Sequence, residues 1–323
     1  MRLLLFLVIF ITIPVTFAGI PSSIIKPSLI DDEFYSETFT LFADMDNGQY
    51  LYAQIGVSNI GPGDQNGLCR IMIFRPGENS INKSVLFKRS QWHFKDKPLA
   101  TLTVGLCSLT LDESNQLSFH GHIENTSVHI KLDGSVQNNI TPLSAIKKDN
   151  GQYFSEILIP WSSATASSNI DDDKEHILNG FGYADHSVST LLPADLASQW
   201  IRFRGINDVD SHLLLIQYPN ETSDPVGWVW KQNESPQTIL KMKKNKAKMP
   251  FINIAMSNNK LDKYAINAQQ LIYRQAPLEE KGLLGKVLSK FIGNPVTYTY
   301  RASMTTQSGK AIKGILEVAI ADE

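Results

Sequence analysis

The chain has 323 residues, 42% of them hydrophobic, and a formal net charge of −2. That length and apolar content suit two domains of ordinary size, each with its own core. The near-neutral charge lacks the electrostatic footprint of a nucleic-acid binder or a polybasic membrane protein, and no Walker A, GxSxG, HExxH or dinucleotide-fingerprint pattern occurs, so neither cofactor nor metal is expected.

The N-terminus reads MRLLLFLVIFITIPVTFA, with Arg2, an apolar run over Leu3–Ile13, then Pro14 and the small Ala18. This is the layout of a cleavable signal peptide, and the run is too short to span a bilayer. Residues 1–18 are therefore expected to be removed near Ala18, and the remainder to be secreted or periplasmic.

From there the chain reads almost wholly as strand. GQYLYAQIGVSN, GLCRIMIFRPG, LATLTVGLCSLTLD, QLSFHGHIEN and SVHIKLDG are short, rich in β-branched and aromatic residues, and separated by turn dipeptides. DMDNG (Asp44–Gly48) begins like a calcium loop but lacks the later ligands, and Asn-Gly marks a hairpin turn. Cys69 and Cys107 are an even pair in a chain with an export signal. They are either a disulfide, worth about 4 kcal/mol on the chain-entropy model for such a loop, or two buried thiols. His120 and His122 share one strand face and fall short of the three or four ligands that zinc needs.

The segment SSATASSNIDDDKE (Ser162–Glu175) offers nothing to bury. It is expected to be a linker dividing a domain over 19–172 from one over 173–323. The second half resumes with GFGYADHSVSTLLPADLASQWIRFRG, in which PADLASQ is a short helix opening at Pro193 with Asp195 in its first turn. Strands WIRFRG, HLLLIQYP, VGWVWKQ, FINIAMSN, VTYTYRASMT and GILEVAIAD follow. KMKKNKAK (Lys241–Lys248) is expected to be a solvated loop. LEEKGLLGKVLSKFIGNP is expected to be a helix, with Leu284, Val287, Leu288 and Phe291 at helical spacing. Many short strands with few helices mean an all-β chain of antiparallel barrels or sandwiches.

Chemistry concentrates at GYADH and WIRFR. A period of two puts Trp200, Arg202 and Arg204 on one face and Ile201 and Phe203 on the other. The first face offers an indole and two guanidiniums able to fork onto a carboxylate or a ligand headgroup. Tyr183 and Asp185 share a face while His186 points away. Asp185 is then either a general acid or the ion-pair partner of an arginine.

These residues resemble the signature of the lipocalin-like superfamily that joins bacterial carotenoid hydratases, AttH-type proteins and fungal survival-factor proteins. Gly180, Gly182, Tyr183, Asp185 and His186 match the hydratase motif GxGYxDHNWG, whereas Ser187, Val188 and Ser189 replace its NWG. The continuation LLPADLASQWIRFRG is closer to the survival-factor and AttH branch, as is VGLCSLTLDESNQLSFHGHIENTSVHIKLDG, and GNPVTYTYRASM resembles the superfamily's closing strands. The resemblance implies two consecutive lipocalin-like (calycin) barrels with few short helices. It implies a hydrophobic small molecule or lipid as partner, with Trp200, Arg202, Arg204 and Tyr183 as ligand contacts and peripheral membrane contact as a further association. In an enzyme of the hydratase type, Asp185 would instead protonate an isoprenoid-like substrate, with Tyr183 and His186 beside it and Trp200 facing the developing cation. A third reading is an interaction module whose barrels are packed solid.

Overall fold

A computed structural model describes residues 22–60, 63–136, 146–148, 150–171, 176–206, 212–218, 226–231, 237–244, 253–258, 263–276 and 294–320. The leader, the expected helix over 278–295 except its last two residues, and the second half of the lysine cluster lie outside them. Among the described residues no helix is long and apolar enough to cross a membrane.

The chain forms two antiparallel sheets. The first contains β1 (Ser36–Met45), β2 (Tyr50–Ser58), β3 (Asn66–Phe74), β4 (Ile81–Phe87), β5 (Trp92–Lys95), β6 (Ala100–Val104), β7 (Cys107–Leu111), β8 (Gln116–Ile123), β9 (Thr126–Ser135), β10 (Ile146–Lys148), β11 (Gly151–Ile170) and β12 (Leu178–Ser189). Its order is β4-β3-β2-β1-β12-β11-β9-β8-β7-β6-β5, with β10 attached to β11. After α1 (Pro193–Leu196) come β13 (Gln199–Gly205), β14 (His212–Tyr218), β15 (Val226–Lys231), β16 (Gln237–Lys244), β17 (Asn253–Asn258), β18 (Lys263–Gln275), β19 (Val296–Thr306) and β20 (Ala311–Ile320), an eight-stranded barrel closed by β20 on β13. The all-β, two-barrel expectation holds, with the first barrel open along one edge: no ladder joins β4 to β5 among the described residues.

Alternation builds both interiors. On β8, Leu117, Phe119 and Ile123 are buried while His120 and His122 face solvent. The rolled first sheet is filled by side chains such as Phe39, Leu41, Ile55, Leu102, Phe119 and Ile130. Cys69 on β3 and Cys107 on β7 are joined by a disulfide with Cα atoms 6.3 Å apart. The two strands lie far apart in the sheet order, so the bond crosses the interior of the roll and resolves the thiol alternative. The described core of the second barrel includes Ile201, Phe203, Tyr300, Met304 and Leu316.

Three expectations are corrected. Ser162–Ile170 is not linker but the end of β11, paired with β9 and β12. Its small residues alternate, Ala164 and Ala166 pointing into the core, so what reads as a loop composition is a strand that packs closely. β12, assigned by that linker to the second half, hydrogen-bonds β1 and β11 in the first sheet, which therefore runs to Ser189. Lys241–Lys244 belong to β16 rather than to a loop.

Candidate functional site

The two sheets meet on their outer faces. Odd-numbered side chains of β1 fill the first interior, while Phe42 turns outward to join Tyr50, Met72, Tyr183, Trp228 and Ile315 in a cluster between the sheets. β12 repeats the division. Gly180, Gly182 and Ala184 face inward, where space is short: a Cβ on Gly180 would lie 2.3 Å from the Asp44 carbonyl, and one on Gly182 would lie 2.2 Å from Leu132. The motif glycines thus let β12 settle between β1 and β11, and Tyr183 and Asp185 are thereby aimed at the seam.

β13 supplies the opposite wall. Ile201 and Phe203 enter the barrel core; Trp200, Arg202 and Arg204 point at the first sheet, as the spacing predicts. Arg204 is 2% exposed and donates from Nη2 to Asp185 Oδ2 at 3.1 Å. Its Nη1 lies 3.6 Å from Glu317 on β20. The guanidinium carbon stands 4.9 Å from the Phe42 ring centroid and 5.0 Å from that of Tyr183, so two aromatic faces solvate the charge where hydrogen bonds do not. Arg202 Nη1 is 3.8 Å from the same Asp185 oxygen, and its Nη2 donates to the Tyr153 hydroxyl. Burial opposes ionisation of Glu317, yet Arg204, Arg202 and Arg70 outweigh it and hold the carboxyl below the usual range. Burial also raises the phenols of Tyr183, Tyr52 and Tyr50, keeping them neutral.

Beside this cluster a cavity of about 410 Å³ opens between the sheets. Its inner part is lined by Arg70, Arg202, Arg204, Glu317, Tyr52 and Thr40; its outer part by Trp200, Leu191, Leu196, Ile60 and Ile320. Asp185 lies behind Arg204 rather than on the cavity wall. Of the sequence-predicted residues, Trp200, Arg202 and Arg204 line the space, Tyr183 packs beneath it, and His186 does not take part. His186 faces the first interior, stacked on Phe39 at 4.4 Å, with Nδ1 2.7 Å from Glu156 and Nε2 2.9 Å from Glu37. Strand alternation separates it from Asp185, so it cannot serve as the acid's neighbour. Sequence reasoning missed Arg70, Tyr153 and Glu317. Glu317 had a signal, a lone charge in the apolar stretch GILEVAI; Arg70 and Tyr153 look like ordinary surface residues until their strands are placed.

No family model and no curated protein matches the chain by sequence. Solved structures match it in shape. An AttH protein from Nitrosomonas europaea aligns with a TM-score of 0.65 at 9% identity, covering 95% of this chain and 98% of the other. Kievitone hydratase from Nectria haematococca gives 0.60 at 12% identity, covering 97% and 94%. CghA, solved with Sch210972, gives 0.60 at 9%, covering 90% and 89%. The likeness is one of fold. It agrees with the superfamily resemblance seen in the sequence and leaves activity to be argued from the site.

Proposed function

We propose that the protein is an exported lipocalin-like carrier that binds a lipid or other largely apolar small molecule at the seam of its two sheets. The observation that carries this is the cavity, which lies between barrels rather than inside one, has a volume suited to a small molecule, and joins an apolar stretch at Trp200, Leu191, Leu196 and Ile320 to a polar one at the arginines. The disulfide supports an oxidising destination, as export by the N-terminal leader would give.

The competing reading is a hydratase acting on an isoprenoid-like substrate, favoured by the fold shared with kievitone hydratase. Its requirements conflict with the site. Asp185 accepts from Arg204 and faces Arg202, the opposite use of a carboxyl from donating a proton. Asp185 is moreover absent from the lining of the cavity that holds Trp200, the ring assigned to the developing cation, so acid and stabiliser do not face one substrate position.

Protein purified from its native compartment should yield an apolar small molecule in organic extract, identified by mass spectrometry. Adding that molecule back to delipidated protein should raise the melting temperature, because a ligand bound only by the folded state stabilises it. Empty extracts, together with a melting temperature unmoved by a broad lipid panel, would favour solid barrels. Water addition to an isoprenoid substrate would favour the hydratase.

A further inference from the structure

The cavity is not uniform along its length. On β13 exposure rises from Arg204 (2%) through Arg202 (18%) to the half-buried Trp200. β12 shows the same gradient, from buried Asp185 to half-buried Ser187 and Ser189, as does β1 from Thr40 back to Thr38 and Ser36. All three strands open toward α1, where the apolar lining gathers. The arginines are therefore the floor and the Trp200 end is the mouth, with about 13 Å between Trp200 and Arg204 along the strand.

Charge on the floor is unbalanced. Three guanidiniums, Arg70, Arg202 and Arg204, face two carboxylates, Asp185 and Glu317, among the described residues. Arg204 has both carboxylates within 3.6 Å. Arg70 donates from Nε to the neutral Asn82 and lies over the Tyr52 ring. Arg202 has Asp185 at 3.8 Å and Glu317 as its cross-strand neighbour, both shared with Arg204, and its hydrogen-bond partner is the Tyr153 phenol. One positive charge is left over; all three arginines line the open space, and Arg202 and Arg70 are the two without a carboxylate as near as those of Arg204. A site kept from water with a surplus charge favours a counter-ion carried in by the ligand.

We propose that the ligand is an amphipathic monocarboxylate that enters head first. Its carboxylate pairs with Arg202, with Arg70 supporting, and its apolar body lies against Trp200, Leu191, Leu196 and Ile320. A single surplus charge matches a monoanion; a phosphate monoester brings nearly two negative charges and would leave the floor unbalanced in the other direction. This identification rests on the carrier reading, and the test separates the two.

Full-length processed protein is titrated with dodecanoic acid, dodecanol, dodecylamine and dodecyl phosphate, which share one tail. The acid should bind at least about tenfold more tightly than the alcohol, as a charge-assisted hydrogen bond in a sheltered site provides, and the amine should bind weakest. Arg202→Met should erase the gap between acid and alcohol without weakening the alcohol, and Arg202→Lys should restore part of it. Equal binding of acid and alcohol by the wild-type protein would overturn the carboxylate proposal and leave the carrier standing. Tighter binding of the phosphate would overturn the monoanion assignment. Failure of all four to bind would overturn both readings. Orientation is read with nitroxide-labelled fatty acids: a label near the methyl end should quench the emission lost in Trp200→Phe more than a label near the carboxyl, and the reverse order would overturn head-first entry.

Discussion

Asp185 illustrates how a residue's role follows from its neighbours. From the sequence it is either a proton donor or an ion-pair partner; the structure puts it 3.1 Å from an Arg204 that is almost wholly buried. Replacing Asp185 by Asn would remove one counter-charge from that guanidinium while leaving Glu317 at 3.6 Å. The expected loss is at the low end for a broken buried pair, about 3 kcal/mol in chemical denaturation. Adding Arg204→Met should recover at least half of it, because the stranded charge is then gone and the two costs are coupled. Arg202→Met, whose side chain is more exposed and farther away, should recover less. A stable Asp185→Asn protein that had lost a measured hydration activity would reverse the assignment and make Asp185 a catalytic acid.

At the scale of the element, β12 is the organising strand, and its sequence explains much of what could be read in advance. The alternation of GFGYADH correctly divides Tyr183 and Asp185 from His186, and that of WIRFR divides Arg202 and Arg204 from Phe203, because in a sheet with two buried faces the period of two is enforced on both sides. What stayed hidden was non-local. Nothing near Arg70 or Glu317 reveals that β3 and β20 face each other across a cavity, and the serines and alanines of β11 look unable to pack until Leu132 and Gly180 are set beside Ala164. On its inner face β12 carries His186, whose two ring nitrogens both meet carboxylates, from Glu37 on β1 and Glu156 on β11. Only the imidazolium can donate from both. Burial works against that charged form, but the hydrogen bonds it donates to Glu156 and Glu37 prevail and raise the His186 pKa from 6.5 to about 9. In Glu37, burial is likewise outweighed, by hydrogen bonds from His186 and Tyr35, and the carboxyl is held below its ordinary value. The signs fix the pH profile. The histidine's contribution is fully present below about pH 6.5 and is lost as pH rises through about 9; that of Glu37 is present above its ordinary value of 4.5 and is lost on acidification below it. Stability should therefore decline by on the order of 3 kcal/mol between pH 6.5 and 10. His186→Gln should be less stable at pH 6 and should flatten that alkaline limb in urea titrations. An unchanged slope in the variant would show that another group titrates.

For the whole molecule, the decisive feature is that the two barrels are joined by a core of their own. The outer faces of β1, β2 and β3 carry Phe42, Tyr50, Met72 and Phe74, which meet Trp228, Trp230, Ile272 and Ile315 of the second barrel. Such a face could not stay exposed on a free domain. Arg301 on β19 fastens the edge of this contact: Nη2 donates to Asp44 Oδ1 at 2.6 Å and to the Gly48 carbonyl at 2.7 Å, and the guanidinium lies 5.6 Å from the Phe74 ring centroid. The turn DMDNG, which reads in sequence only as a hairpin, is thus also a docking point between sheets. Because the cavity walls come from both sheets, its lifetime as a closed site depends on such fasteners and not on either interior. Arg301→Met should lower global stability by about 2 kcal/mol, the scale of lost charge-assisted hydrogen bonds in a partly buried site. Its effect on ligand should be larger in kind: faster dissociation, with amide exchange accelerated around Gly48 and along β19 but unchanged in β8 and β9, whose hydrogen bonds lie within the first sheet. Asp44→Asn should reproduce this pattern, since the two changes cut the same contact. Exchange that rises uniformly through both sheets, or a ligand lifetime untouched by either substitution, would mean that the barrels are held elsewhere and that this contact does not set the lifetime of the closed site.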